Sequence, residues 1–441
     1  MGRKEDRLTA HLEKDPIRAC REVRERYLPD LMGWLSRTED PRDQRYITYT
    51  NTVMLCQMLY KGITGIVGMR EMTRSFNNET VSRKIHSFAG SPGREYLPHH
   101  VTENEYLSRL DPSELEGVIH KICCRLIRRK TFDAAKSQGR WAVIIDGTRG
   151  YSGKRRINSG CLERHSDKGT ETEAVSYHCD ILEAKLYLGE GLVASICSEP
   201  MDNSGTGPGG YASGEARKQD CETKAFKRLA EKLKKGFPRL PMVLLMDSLY
   251  ASGPVMDICA RNGWDYIIRS KDGSIPSIAE EYRDIPEKET AGDAEYVNDI
   301  DYNGRTVHML KYHETRKKGK EKVRTDFQWL TSIRITGKNA EKIAGIGRCR
   351  WKIENQGFNR QKHWCGDITH ACSWDSRALR DHYLLQQISD LIRQLYEWRC
   401  LRKNGIDKTF KKISSDLLYA LAGPTWGRED TIGKAEAAAF C

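Results

Sequence analysis

The sequence has no run of roughly 20 uncharged apolar residues, so no segment is built to cross a bilayer as a helix. Its start, MGRKEDRLTAHLEKD, is charged from the third residue and lacks the apolar stretch and small-residue cleavage site of a secretory signal, so a reducing compartment is expected. The 14 cysteines form no regular framework. They are scattered singly inside apolar runs, as at Cys56, Cys197 and Cys259, and read as free, buried thiols. No repeat of fixed period and no low-complexity tract is present, which excludes solenoids. The glycine-rich stretch GTGPGGYASGEARK lacks the Lys-Ser or Lys-Thr of a phosphate-binding loop and does not lead from an apolar strand straight into a helix, so no ATP site is indicated. Ser248 and Ser252 have no neighbouring base or elbow motif, which removes serine-hydrolase chemistry. His363, Cys365, His370 and Cys372 offer zinc-binding atoms, but their H-x-C, four-residue gap, H-x-C spacing departs from paired-cysteine zinc sites.

What is abundant is positive charge. The chain of 441 residues carries 73 Lys and Arg against 61 Asp and Glu, a net charge of +12, which makes a polyanionic partner plausible. The length suggests two or three domains. Residues 1 to 135 read as helical. In DPSELEGVIHKICCRLIRRK, Leu115, Val118, Ile119, Ile122 and Leu126 recur at helical spacing behind an Asp111 cap and Pro112, with Arg125, Arg128, Arg129 and Lys130 at the far end. From Trp141 the character changes. WAVIIDGTRG, AVSYHCDIL, AKLYL and LVASICSE read as antiparallel strands, and CETKAFKRLAEKLKKG as a helix with Phe226, Leu229, Ala230 and Leu233 on one face. PMVLLMD suits a strand buried on both faces, followed by a crossover helix and the parallel strand WDYIIRS. GRTVHMLKYHE and VRTDFQWLTSI, joined by a basic turn, predict a hairpin. One helix is expected through NAEKIAGIGRCRWKIENQGFNRQKHW. A second, SRALRDHYLLQQISDLIRQLYEW, carries the stripe Leu384, Ile388, Leu391, Ile392, Leu395, and the tail from about Gly423 reads as frayed.

Two of these strands end on an aspartate, Asp146 and Asp247, and a later helix carries Glu354. In a sheet that passes from antiparallel strands into a parallel unit, the two aspartates would lie side by side and repel unless cations neutralised them. Hard oxygen donors suit Mg²⁺ or Mn²⁺, and a pair of ions about 4 Å apart can drive in-line displacement at phosphorus. Each acid also has an ordinary reading, as a turn or cap residue for the aspartates and as the partner of Arg350 for Glu354.

WAVIIDGTRG, VLLMDSLYA and RCRWKIENQGFNRQKHW, in this order and followed by ALRDHYLLQQISDLIRQL, resemble the DDE transposases of bacterial insertion sequences. The resemblance covers roughly residues 90 to 400. It implies an α/β fold in which an RNase H-like mixed sheet is flanked by helices, with an all-α N-terminal domain and a β-rich insertion between the second Asp and the Glu. The spacings of 101 and 107 residues leave room for that insertion. The expected parts are a helical DNA-binding domain over 1–135, catalytic core over 136–270, insertion over 271–335, C-terminal core helices over 336–425 and a tail over 426–441. By carry-over, Asp146, Asp247 and Glu354 would be the catalytic, metal-binding acids for end cleavage and strand transfer, with two Mg²⁺ or Mn²⁺ ions. The implied partner is double-stranded DNA, bound by a homo-oligomer, in a nucleoid-associated cytoplasmic protein.

Related members carry Tyr, two residues, Arg, three residues, Glu, six residues, Lys. Arg350 and Glu354 match, whereas Gly347 and Gln361 stand at the Tyr and Lys positions and Lys362 comes one place late. On a straight α-helix the seventh residue beyond Glu354 lies within about 20° of it and the eighth about 80° away. Arg350, about 40° off and one turn back, is therefore better placed than Lys362 to grip phosphate, and Lys362 is the lesser phosphate contact. Arg316, Lys317, Lys318, Lys320 and Lys322 form a cationic hairpin tip, either a solvated turn or a DNA contact. Trp329 is either core or a platform for an unpaired base. Arg70, Arg74, Arg83 and Lys84, around a turn at Phe76 to Thr80, are either surface residues or part of end recognition. A non-cutting DNA-binding relative and a nuclease without strand transfer are the alternative functions.

Overall fold

The computed structural model describes residues 15–203, 220–271, 273, 275–318 and 321–423, without the side chains of 316–318 and 321–322. The expected glycine-rich loop and frayed tail lie outside the described residues.

The N-terminal part is helical: α1 (Pro16–Tyr27), α2 (Leu31–Ser36), α3 (Asn51–Ile63), α4 (Met69–Phe76), α5 (Glu79–Phe88), α6 (His100–Arg109) and α7 (Pro112–Ile127). Local chemistry sets the ends. Asp111 accepts the Ser113 amide at 2.9 Å with Pro112 in the first turn, and Leu115, Val118, Ile119, Ile122 and Leu126 are buried.

The sheet comprises β1 (Trp141–Gly153), β2 (Leu162–Ser166), β3 (Ala174–Gly189), β4 (Leu192–Pro200), β5 (Met242–Met246), β6 (Asp265–Ser270), β7 (Glu289–Ala291), β8 (Ala294–Asp301), β9 (Thr306–Lys318) and β10 (Glu321–Thr331). Its order is β2-β3-β1-β5-β6-β10-β9-β8-β7, with β4 on β3. β1 runs antiparallel to β3 and parallel to β5, and β5 runs parallel to β6. Antiparallel strands leading into a parallel βαβ pair make the core RNase H-like. All five residues of β5 are buried, as its unbroken apolar run predicts. The strands of the 271–335 segment continue the same sheet, because β10 pairs antiparallel with β6 through Leu330 and Ile268.

Helices α8 (Glu222–Gly236), α9 (Gly253–Asn262) and α10 (Pro276–Asp284) follow the sheet's course, and α11 (Ala340–Arg348), α12 (Asn359–His363), α13 (Ser376–Tyr396) and α14 (Phe410–Ala422) close the fold. Gly263 ends α9 at φ 70°, a left-handed position that favours glycine. The single helix expected over 339–364 is interrupted. It stops at α11, tightens through Cys349 and Arg350, then resumes with a π-helical turn at Ile353–Phe358 before α12. At Gly347, inside its last turn, α11 rests directly on the Trp329 indole, since a β-carbon there would lie 2.7 Å from that ring.

α13 packs against α1, α3, α6, α7 and β4, so it is buried well beyond its apolar stripe. Asp381 is one polar residue enclosed this way, and neither carboxyl oxygen has a hydrogen-bond partner among the described residues. Burial pushes its pKa up to about 8, against the opposing pull of Arg380. The folded state therefore holds this proton more tightly than the unfolded chain does. Stability should fall as pH rises from about 4 through about 8, then level off. Asp381→Asn is expected to flatten that decline and to raise stability at pH 8.5 by about 1 to 3 kcal/mol. Thermal denaturation of both proteins between pH 5 and 9 checks this, and parallel curves would refute it.

Candidate active site

Alternation along β1 separates its side chains between two cores. Trp141, Val143 and Ile145 join the core formed with the N-terminal helices and α13, whereas Ala142 and Ile144 join a second core with Val243 and Leu245 of β5 and Ile353 and Phe358 of the π-helical segment. Asp146 and Asp247 continue the second series. Asp247 is thus carried to the end of β5, whereas Asp146 stands midway along β1, just past the residues paired with β5, because the strand expected to end there runs on to Gly153; both lie on the face where the segment bearing Glu354 packs.

Asp247 also caps the turn Ser248–Tyr250, accepting the Leu249 amide at 2.9 Å. The Asp146 pKa is pushed up to about 6, first by burial and then by the charges of Asp247 and Glu222, against the pull of Arg350. Arg350 Nη1 lies 3.3 Å from Asp146 Oδ2. The salt bridge considered for Arg350 thus runs to Asp146, and its guanidinium also lies 4.7 Å over the half-exposed Trp351 ring.

Glu222 and Asp180 belong to the same group and were missed in the sequence. Glu222 opens α8 and accepts the Tyr250 hydroxyl at 3.0 Å; its pKa is raised by burial and by Asp247 and Asp180. A β-carbon on Gly147 would sit 2.5 Å from Glu222 Oε1, so glycine next to Asp146 is what admits this carboxylate. That glycine was the available signal. Asp180 lies on β3 opposite Arg149, with Arg149 Nε at 3.5 Å and His178 Nε2 at 3.4 Å.

Glu354 sits half-buried on the π-helical turn, beside the fully buried Ile353. Among the described residues no group of three or more His, Cys, Asp or Glu is arranged to hold a metal ion, so Glu354 does not close on the two aspartates in this conformation.

The cations downstream sort by helical phase. Gln361 is fully buried and donates to Gln387 Oε1 and Asp390 Oδ2, both at 2.9 Å. Lys362 is half-buried and close enough for its charge to lower the pKa of Asp180. A π-turn holds one residue more than an α-turn, so the eighth residue after Glu354 takes the angular place of the seventh. The straight-helix expectation that disfavoured Lys362 is corrected by that turn.

Trp329 is corrected as well. It is 2% exposed, stacked 5.8 Å from Phe327 and pressed against Gly347, leaving no face for a base. Lys84 is buried and bonds the Ala420 and Gly423 carbonyls at 2.7 Å, which removes it from any DNA surface. Arg83 pairs with Glu79, while Arg70 and Arg74 are exposed on α4. The side chains of Arg316, Lys317, Lys318, Lys320 and Lys322 lie outside the described residues.

Residues 217–385 match the family model described as transposase DDE domain. The matched span contains Asp247 and Glu354 and begins after Asp146. Over that span the chain is similar to transposase DDE domains, in agreement with the resemblance carried by its sequence. No curated protein matches the chain.

Proposed function

We propose that this protein is a DNA transposase that cleaves the ends of an insertion sequence and joins the freed 3′-hydroxyl to target DNA. The observation that supports it best is the side-by-side placement of Asp146 and Asp247 on adjacent parallel strands, each within reach of the other's charge. Their donor chemistry fits Mg²⁺ or Mn²⁺: hard carboxylate oxygens, crowded with like charge. Asp146, Asp247 and Glu354 would hold the ions, with Glu354 brought in from the π-helical turn. When bound, two such ions supply activation of the attacking oxygen and stabilisation of the leaving oxygen.

The chain's own residues do the rest. Arg350 neutralises Asp146 in this conformation and, once released from it, can grip a phosphate bidentately beside the acids. Lys362 offers a second phosphate contact. The N-terminal helices would recognise the element ends, and pairing two ends calls for a homo-oligomer assembled on DNA. No helix among the described residues is long and apolar enough to cross a membrane.

The two neighbouring positions of the signature should respond oppositely. Lys362→Ala is expected to weaken DNA binding at every sequence and to reduce its salt dependence by about one counterion, without a change in stability. Gln361→Lys, which restores the usual residue at that spacing, should destabilise the fold by about 2 to 4 kcal/mol because it buries an ammonium in place of an amide. Salt titrations by fluorescence anisotropy and urea denaturation measure the two effects. Improved DNA binding by Gln361→Lys would overturn the assignment of phase.

The function is tested by incubating the protein with labelled DNA carrying its flanking ends, in Mg²⁺ or EDTA, beside Glu354→Gln. Metal-dependent nicks and joined products, both lost in the variant, are expected. Nicks without joined products would leave a nuclease, and salt-sensitive binding without nicks a non-cutting relative.

A further inference from the structure

Outside the acid group, one pair of reactive side chains is brought together by strand register. Leu162 of β2 pairs with His178 of β3, and continuing that antiparallel register by one residue sets Cys161 opposite Cys179. Directly opposed residues in an antiparallel pair have Cα atoms about 4.5 to 5.5 Å apart, inside the range a disulfide spans. The two sulfurs lie 3.4 Å apart. Cys161 is buried and Cys179 partly exposed, and both are free thiols in this structure.

We propose that Cys161 and Cys179 form a redox-responsive pair that closes to a cross-strand disulfide on exposure to a peroxide. The Cys161 sulfur, beside the Cys179 thiol and near Arg156, would attack a peroxide oxygen, giving a sulfenic acid at Cys161 and releasing water once a proton is taken up. The Cys179 thiol then displaces the sulfenic hydroxyl, forming the S–S bond and a second water. Two thiols are oxidised by two electrons, and one hydrogen peroxide is reduced to two waters.

The local environment supports this order. The Cys179 thiol, the backbone at Ile157 and Asn158 and the Arg156 charge pull Cys161 down to about 6, whereas its partner is held up as the thiol. Other thiols in the described core are pushed up by burial, Cys56 and Cys259 to about 12. Selectivity for this pair rests on the 3.4 Å approach of its two sulfurs across the strands. Closure would tie the start of β2 to β3 one residue from Asp180, at the rim of the acid group. The inference stands on the thiol geometry alone and does not depend on the transposase reading.

The test treats the folded full-length protein with hydrogen peroxide, blocks remaining thiols with N-ethylmaleimide under denaturing conditions, and maps peptides without reductant. A Cys161 to Cys179 cross-link at least ten times more abundant than any other pairing is expected, reversed by dithiothreitol. In Cys179→Ser, the sulfenic acid should persist at Cys161 and be trapped by dimedone. Recovery of both cysteines as maleimide adducts in the wild type would overturn the proposal, as would equal scrambling among the cysteines. The wild-type map decides the matter even where the serine variant folds poorly.

Discussion

Asp247→Ala should reduce end cleavage by at least about 1000-fold while leaving specific DNA binding within a few-fold of the wild type. Loss of a ligand that fixes the reacting oxygens is expected to cost about 4 kcal/mol or more in the transition state, and about 1.4 kcal/mol is a factor of ten. Asp146→Ala should match it. Neither variant should lose much stability, for a physical reason visible in the site. Asp146, Asp247 and Glu222 repel one another, with the Arg350 pair as the offset at Asp146, so removing one carboxylate relieves repulsion as it removes chemistry. For Asp247 the relieved repulsion is set against loss of the cap on Leu249, so a melting temperature within a few degrees of the wild type, together with absent cleavage on labelled ends, is the combined signature. Cleavage within tenfold of the wild type would remove Asp247 from the site. So would loss of end binding in a variant that remains folded.

The second large effect belongs to a residue remote from DNA. Arg360→Ala should destabilise the fold by about 3 to 5 kcal/mol, a sizeable part of the roughly 5 to 15 kcal/mol typical of a native domain. Arg360 is 4% exposed, with Nε 2.7 Å from Asp390 Oδ1 and Nη1 and Nη2 at 2.5 and 2.9 Å from the two Glu397 oxygens. Arg393 completes the arrangement, bonding Glu397 at 2.9 Å and the carbonyls of Trp364 and Phe410 at 2.8 and 2.9 Å. Truncating Arg360 strands Asp390 with only Gln361 and Gln394 as donors, so a buried charge is left uncompensated. Urea denaturation gives the measurement, and a loss below about 1 kcal/mol would show that water fills the gap. Because Arg360 follows Glu354 on the same run of helix, the network also fixes where that glutamate can swing from.

The elements legible in the sequence were those governed by period and by neighbours along the chain. The caps of α7, the buried run of β5, the hairpin β9–β10 and the placement of Asp247 at a strand end all follow from alternation, helical spacing and turn chemistry, whereas the strand expected to end at Asp146 continues to Gly153 because β3 pairs with it that far. The residues that eluded such reasoning depend on distant partners. Trp329 is core because Gly347, eighteen positions later, lets a helix settle on its ring. Glu222 enters the acid group only because β1 and α8 meet at Gly147. The apolar stripe of α13 does not show that its polar side is covered as well, because the N-terminal helices that cover it are about 300 residues away. Burial of Gln387, Asp390 and Arg393 has no signature within their own helix.

One consequence of the π-helical turn at Ile353–Phe358 reaches beyond this chain. A helix that accommodates an extra residue by widening a single turn keeps everything downstream in register, here Arg360, Gln361 and the whole seam with α13. What is preserved is then the bearing of a charge around an axis, and counting letters between glutamate and lysine measures that bearing only where the helix is uniform. Insertion of one residue at such a place is structurally cheap, because the widened turn absorbs it and the residues beyond keep their bearing.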